Sequence, residues 1–399
     1  MISGTPSRQQ GIALLAAMIL MLAITMILAN IFYRHQLEVS QAAASLHRDQ
    51  ALLIALSGES WAIELLAEDA TNSQTNDADH YGEIWAQALP MLPVEGGTLT
   101  GCISDLQSKV DLNNFSSYQA GLLQSELNQY DNVGFAKLWL NLLDILEIPS
   151  SPARIATIVD WIDNDSTVVN SWGAEQPDYD SFNPPRVVAN SFLVESAELA
   201  DISGYTIAEV LALLPWITVL SEPSRSGSQS GQGRPWTPVN INTASDELLF
   251  ALGGRFGEQF VDAVKLGRPF RANQIHDLLN DALGLRDPIT NVGRANTIWP
   301  DTLISHKTDY FQLYLVAKIG EAHMEVTSLI SRKTLPGQVS RPRVLGREIT
   351  LIPSMVPSES KASELKKMVA NNDQDMSSDE QLEEQNTAVQ PACVMVGVY

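Results

Sequence analysis

The sequence has little with which to do covalent chemistry. Its 399 residues include two cysteines and six scattered histidines. It contains no His-Glu-x-x-His helix, Walker loop, Gly-x-Ser-x-Gly elbow or Cys-x-x-Cys pair. The usual zinc, phosphate, acyl-enzyme and dithiol sites therefore have no signature here. Triads are recognised by geometry rather than order, so this lowers the odds of an enzyme without excluding one. Positive charge is also scarce: 25 Lys and Arg against 47 Asp and Glu give a net charge of −22. Such a surface repels nucleic acid and anionic lipid heads. In an oxidising compartment Cys102 and Cys393 can close a disulfide loop of about 290 residues. They can equally stand as independent thiols, because sequence does not show that their Cα atoms approach.

What the chain does have is one long apolar run, Ile12 to Phe32, with no charged residue. At about 1.5 Å rise per residue it spans roughly 31 Å, one bilayer core. A secretory signal peptide has a shorter apolar region and a small-residue cleavage site behind it. A plain signal anchor fits the length. A third reading places cleavage before the run, after Arg8-Gln9-Gln10-Gly11, which resembles a type IV prepilin leader. Arg8 before the run against Arg34 and Arg48 after it gives only a small bias toward a cytoplasmic leader, with the acidic bulk in the periplasm.

Helix-forming sequence without proline continues from Gln36 to Asp69, with Ala43, Leu46, Leu53, Leu56, Leu65 and Leu66 near helical spacing. One helix of about 50 residues, half in the membrane and half amphipathic, is expected. Residues 97–112 read as two short β segments around a tight connection. Residues 118–162 read as helices, the last capped by Ser151 with Pro152 in its first turn. An acidic loop follows to about Asn190, then a helix from Glu198 to Leu213. Residues 221–238 form a Ser/Gly-rich linker. Residues 239–300 form a second helical unit, in which Asn242 or Thr243 can cap the next helix. Two strands follow within Tyr310 to Ser331, around Gly320-Glu321, with more strand chemistry at Val344 to Ile352. Residues 354–391 hold eight acids and three bases and read as a disordered acidic tail.

Two stretches carry candidate chemistry. Asp160, Asp163, Asp165, Glu175, Asp178 and Asp180 crowd one loop, where they repel one another unless solvated or bridged by a cation such as calcium. Asp163-x-Asp165 begins like an EF-hand, but the later ligand spacing and the sixth-position glycine are missing. Spacing alone favours a solvated acidic loop. The second stretch, Val239 to Ser245, resembles the opening of helix-hairpin-helix modules, whose Gly-x-Gly hairpin meets phosphate. Here the hairpin reads Gly253-Gly254-Arg255-Phe256-Gly257, and residues 240–285 carry six acids against four bases. A packing module is the favoured reading.

In order, four stretches resemble one family, the minor pseudopilin K of type II secretion (general secretion pathway protein K). They are Gly11 to Leu15; Ser104 to Gln107 with Asp111 to Asn114; Ile158 to Asp165 with Gly173 to Glu175; and Val239 to Ser245. The likeness runs from Arg8 to about Arg332; the remainder is unmatched. It implies an α+β fold: a pilin-like long N-terminal helix on a small antiparallel sheet, interrupted by a large SAM-like or helix-hairpin-helix-like helical insertion. The implied layout is a leader 1–11, a transmembrane and stem helix 12–69, a first part of the head 70–117 and an insertion 118–220. The linker 221–238, second unit 239–300, return strands 301–352 and tail 353–399 complete it.

The resemblance also implies cleavage by prepilin peptidase between Gly11 and Ile12, N-methylation of Ile12 and no catalysis. Most pilins carry Glu at the fifth mature position, thought to pair with a neighbour's N-terminal amine, whereas K subunits lack it. Ala16 stands there, as suits a subunit at the filament tip. Family members bind calcium in the region of the acidic loop, which reverses the reading of that loop. Asp163, Asp165, Glu175 and Asp178 are the implied ligands, with Asp160 and Asp180 flanking. The implied partners are the I, J and H minor pseudopilins, the major pseudopilin, the inner-membrane assembly platform and prepilin peptidase. The implied location is the bacterial inner membrane, single-pass, with the C-terminal bulk periplasmic. The implied role is to initiate and cap a pseudopilus that helps export folded proteins through the outer membrane. A membrane-anchored DNA-uptake protein and an anchored metal-dependent hydrolase are the alternatives.

Overall fold

Helix α1 runs unbroken over Gln10–Thr71 in the computed structural model, which describes residues 10–72, 77–87, 89–128, 134–220, 236–271, 274–333 and 341–352. No proline interrupts it, and its first half projects from the rest of the molecule with exposed apolar side chains, Ile12 being 72% exposed. It is the one helix among the described residues long and apolar enough to cross a membrane. The second half is a stem with one buried face. Ala51, Ala55, Ala62 and Leu66 recur at helical spacing and are buried. Gly58 lies on the same face, where a Cβ would stand 2.9 Å from Leu99 Cδ2 and 3.2 Å from Leu315 Cδ1. Small residues here let the helix axis approach the sheet.

Strands β1 (Leu89–Val94) and β2 (Gly97–Asp105) open that sheet. The insertion then begins with β3 (Val110–Asp111), α2 (Ala120–Asn128), α3 (Phe135–Ile145) and α4 (Pro152–Ile162). It continues through α5 (Gln176–Tyr179), α6 (Ile207–Leu213) and β4 (Ile217–Thr218). Its second half holds β5 (Val239–Asn240), α7 (Asp246–Gly253), α8 (Gly257–Gly267), α9 (Gln274–Ala282), α10 (Ala295–Ile298) and β6 (Ile304–Ser305). The sheet resumes with β7 (Tyr310–Ile319), β8 (Ala322–Ser331) and β9 (Arg343–Ile352).

The five-stranded sheet is antiparallel in the order β1-β2-β7-β8-β9. β2 and β7 pair from Gly97↔Ile319 to Asp105↔Phe311, although the whole insertion lies between them in sequence. Gly320, at φ +54°, takes the first position of the two-residue turn from β7 to β8, the place where a hairpin turn of this length needs glycine. Leu99, Ile103, Leu313, Leu315 and Val326 pack with the stem alanines in one apolar cluster. Parallel two-residue bridges, β3 to β4 and β5 to β6, close the two halves of the insertion. Both halves share a second core, with Trp139, Phe115, Phe260 and Trp299 fully enclosed. Enclosing each such side chain contributes on the order of 2 kcal/mol.

The structure corrects several sequence expectations. Residues 97–112 do hold two β segments around a tight connection, Gly97–Asp105 and Val110–Asp111; the first is longer than expected because β7 offers nine partners in register, and β1 ahead of it is an addition. The helix expected from Glu198 to Leu213 is broken: Gly204 takes φ +94° and Thr206 starts α6 with a capping box to Glu209. Ser151 occupies the N-cap of α4, but its side chain makes no capping bond there. Ser245, not Asn242 or Thr243, caps α7 by accepting from Leu248 N–H at 3.3 Å. The leader before Gln10, residues 221–235 of the linker and the tail 353–399 lie outside the described residues.

Asparagine and aspartate side chains tie the insertion to the sheet. Asp105 Oδ2 accepts from Asn240 Nδ2 at 2.9 Å, Thr243 Oγ1 at 2.5 Å and Thr308 Oγ1 at 2.6 Å. Asn113 exchanges two hydrogen bonds with the Leu193 backbone, Asn114 with Thr237 and Asn242 with Phe270. Each amide thus stands in for one rung of a β ladder where no strand is present. The two polar stretches 104–114 and 239–245 are structural joints.

Candidate metal centre

The acidic loop is hung from the end of α4. Every residue of this helix from Ile155 to Ile162 is buried, as expected of a helix apolar on nearly all sides. Asp160 breaks that pattern. Its Oδ1 accepts from Val169 N–H at 2.8 Å and draws the loop back over the helix end; its Oδ2 has no hydrogen-bond partner. Asp163 follows as the C-cap residue, its N–H donating to Val159 O at 3.0 Å. Asp165 Oδ1 accepts from Thr167 N–H at 2.8 Å and forms a local turn. Gly173 returns the chain so closely that a Cβ there would lie 1.9 Å from Asp160 Oδ2. Glu175 then points a buried carboxylate toward the end of α4.

Carboxylate oxygens of Asp163, Asp165 and Glu175 lie within 4.8 Å of one another. Asp163 Oδ1 and both carboxylate oxygens of Glu175 are buried without a hydrogen-bond partner. Among the described residues none of these acids, nor Asp160, makes an ion pair. Their titration reflects it. Burial, reinforced by the neighbouring carboxylates, pushes Glu175 up to about 7 and Asp163 up to about 6. Burial likewise raises Asp160 to about 6, against the pull of the Val169 N–H. Orphaned oxygens on converging acids could hold a hard cation, which takes six to eight oxygens in loose geometry.

The six candidate acids divide. Asp163, Asp165 and Glu175 converge, and Asp160 abuts them. Asp178 Oδ2 accepts from Glu175 N–H at 3.0 Å and so caps α5. Asp180 Oδ1 is held by Gln176 Nε2 at 2.7 Å in an exposed pair. Behind the loop, fully buried Tyr179 packs on Trp161 and Phe182, and its hydroxyl accepts from Ser203 N–H at 3.0 Å.

A second acidic trio has no signature in the sequence. Asp69, Asp79 and Glu83 also bring oxygens within 4.8 Å of one another, but a cation is already present. Arg332 donates to Asp69 Oδ2 at 2.7 Å, Asp79 Oδ1 at 2.5 Å and Thr308 O at 2.8 Å. The acids stand far apart from the arginine in sequence, so no local pattern announces the group.

The remaining site residues are placed as follows. Gly11 and Ile12 lie in the first turn of α1, and Ala16 is exposed along it. Cys102 is buried in β2 and disulfide-bonded; Cys393 lies outside the described residues. Between α7 and α8, Arg255 lies over the Phe256 ring at 4.7 Å.

Residues 108–222 match the sequence family described as "Type II secretion system (T2SS), protein K", a span that coincides with the half of the insertion closed by β3 and β4. Type II secretion system protein K of Aeromonas hydrophila is 27% identical over 332 residues, covering 82% of this chain and 93% of its own length. The Pseudomonas aeruginosa protein of the same name is 28% identical over 353 residues, covering 86% and 93%. That of Klebsiella pneumoniae is 30% identical over 254 residues, covering 62% and 71%. Among solved structures, the complex of GspK, GspI and GspJ from the type 2 secretion system of enterotoxigenic Escherichia coli contains a similar chain. The TM-score is 0.58 at 19% identity, over 78% of this chain and 99% of that one.

Proposed function

This chain belongs to the type II secretion system protein K family, and from that we propose that it is the tip subunit of a pseudopilus, initiating its assembly and helping to export folded proteins through the outer membrane. The observation that carries the reading is α1 itself. A membrane-length apolar segment runs without a break into a stem packed on a small antiparallel sheet, and Ala16 leaves the segment without a carboxylate. A subunit with another stacked above it would need that carboxylate; a tip subunit does not. The solved relative was captured with GspI and GspJ, which supports the I and J minor pseudopilins as partners of this chain, with the H type and the major pseudopilin below. The assembly platform and prepilin peptidase act on it in the inner membrane, with the acidic head periplasmic.

Calcium belongs to the same proposal. Asp163, Asp165 and Glu175 would hold it, with Asp160 beside them, and the ion would supply the positive charge these carboxylates lack. Fixing Glu175 to the end of α4 makes the loop rigid, and no bond-making step is assigned to the protein.

The test is the N-terminal residue of the membrane-bound chain, read with and without prepilin peptidase. A chain beginning at Ile12 with a methylated amine, formed only with the peptidase, is expected. An unprocessed chain, or one cut after Phe32, would return the protein to a plain anchor or secreted form and remove the tip mechanism.

A further inference from the structure

The sheet has two faces, and α1 covers only one. Along β2, Leu99 and Ile103 face the stem; by alternation Thr98, Thr100, Cys102 and Ser104 face away. The register places Cys102 opposite Tyr314 and Thr100 opposite Val316, which extends this outer face onto β7. At one end the face is covered by Leu106, Leu220 and Tyr310, packed with Leu329 and Leu345. Further along it no apolar cluster of the described residues extends. Yet Cys102 is only 2% exposed and Val316 only 9%, and neither joins any apolar cluster of the described residues.

The sulfur of Cys102 is bonded to another sulfur, so a second piece of polypeptide reaches the outer face at that point. The chain has one other cysteine, Cys393. We propose that the C-terminal segment beyond Ile352 folds back across the outer face of the sheet and is clamped there by a Cys102–Cys393 disulfide.

The distances allow it. β9 is the sheet edge and β2 lies three strands away, roughly 14 Å at the usual strand spacing. The stretch from Pro353 to Ala392 is long enough to cross that gap many times over. The chemistry after the cysteine suits the seat: Val394, Met395, Val396, Val398 and Tyr399 follow Cys393, and they would lie against Val316 and Tyr314. The acids of the tail precede the cysteine and would remain in solvent. The strap then ties the edge strand to β2 through a bond outside the hydrogen-bonded ladder.

The experiment uses full-length protein exported to an oxidising compartment and extracted in detergent, with free thiols blocked before digestion without reductant. The expected product is one linked peptide pair, Cys102 with Cys393, from a monomeric band. A covalent dimer through Cys102, a small-thiol adduct, or both cysteines blocked as free thiols would overturn the clamp. Seating is tested separately by hydroxyl-radical footprinting of Tyr314 and Val316. Nicking the tail between residues 353 and 392 should leave its last fragment on the head. Adding reductant should then release it and raise labelling of both residues several-fold. Equal labelling before and after release would mean a tethered but unseated tail and would overturn the docking. A chain ending at Ile352 should label like the released form.

Discussion

Arg332, immediately beyond β8, donates to Asp69 Oδ2 at 2.7 Å near the end of α1. The same guanidinium reaches Asp79 and the Thr308 carbonyl and lies over the Phe311 ring at 4.8 Å. One buried cation therefore joins the stem, the connection after it and the far end of the sheet. Arg332→Met would keep much of the volume and leave two buried carboxylates facing each other. A loss of about 3–5 kcal/mol is expected from removing one partner of a buried pair. Urea unfolding measures it, and Asp69→Asn combined with Arg332→Met should recover part of the loss. A change below 1 kcal/mol, the size of an exposed pair, would show that the clamp is not buried in solution.

Glu83 gives this joint a pH dependence. Its Oε2 accepts from Trp85 Nε1 at 2.7 Å and His80 N–H at 3.1 Å, while Oε1 is buried with no partner. Burial, with the Asp69 charge added, pushes the carboxyl up to about 7. In the unfolded chain the group ionises near its ordinary value of 4.5. The folded state therefore holds a proton the unfolded state has lost, and stability falls as pH rises between those two values. Glu83→Gln mimics the protonated form. It should change little at pH values near 4 and stabilise by up to about 3 kcal/mol above pH 8. Equal effects at both ends of the range would contradict a raised carboxyl.

Glu59 works in the opposite sense. Burial pushes its carboxyl up, but hydrogen bonds from Arg347 and Ser328 outweigh burial and hold it below the ordinary value. Arg347 Nε donates to Glu59 Oε2 at 2.7 Å, linking β9 to the stem across the sheet. A lowered carboxyl contributes stability that is present above its unfolded pKa and lost as pH falls through the folded one. Arg347→Met should therefore destabilise at neutral pH and matter less in acid, as thermal unfolding at two pH values would reveal. A loss that is the same in acid would assign Arg347 to packing alone.

Much of this architecture is legible in the residues, for physical reasons that differ by element. The stem can be read because fifty-odd residues of helix former without proline admit few other conformations. The strands of β7 and β8 can be read because a period of two brackets Gly320. Strand β1 was not legible, since Pro90 and Pro93 disguise an edge strand whose partner lies next to it. The acidic loop could be seen, but its convergence could not. Which of six acids meet depends on Gly173 returning the chain onto Asp160 and on Asp178 being used up as a helix cap. The Arg332 joint is not legible because its acidic partners, Asp69 and Asp79, are hundreds of residues away in sequence.

Calcium should stabilise the head through three acids and not through the others. Added at a hundred times its dissociation constant, it should raise stability by about 2.7 kcal/mol, and a chelator should remove that gain. Glu175→Gln or Asp163→Asn should abolish the response, whereas Asp180→Asn, engaged only with Gln176, should leave it intact. Gly173→Ala should weaken it too, because the new methyl group would collide with Asp160. Differential scanning fluorimetry with calcium, magnesium and chelator checks all four. Loss of the response in Asp180→Asn alone would move the site out of the trio.

Ala16 offers the sharpest test of position in the filament. A carboxylate in the apolar segment costs about 2.5–3.5 kcal/mol at the bilayer centre unless it finds a partner. In a subunit that has another above it, the neighbour's N-terminal amine supplies one. At the tip no such amine exists, so Ala16→Glu would either bury an unpaired acid or recruit a further subunit onto the end. Both outcomes disturb a complex that should end with this chain. Export of a folded substrate should drop several-fold in the variant while its processing at Gly11 and its level in the membrane stay normal. Pull-down of the I and J subunits separates the causes: retained binding with poor export points to the wrong end of the filament. If export is unchanged, the missing carboxylate does not fix this subunit's place, and the tip reading loses the feature of the sequence that distinguishes it from any other anchored stem.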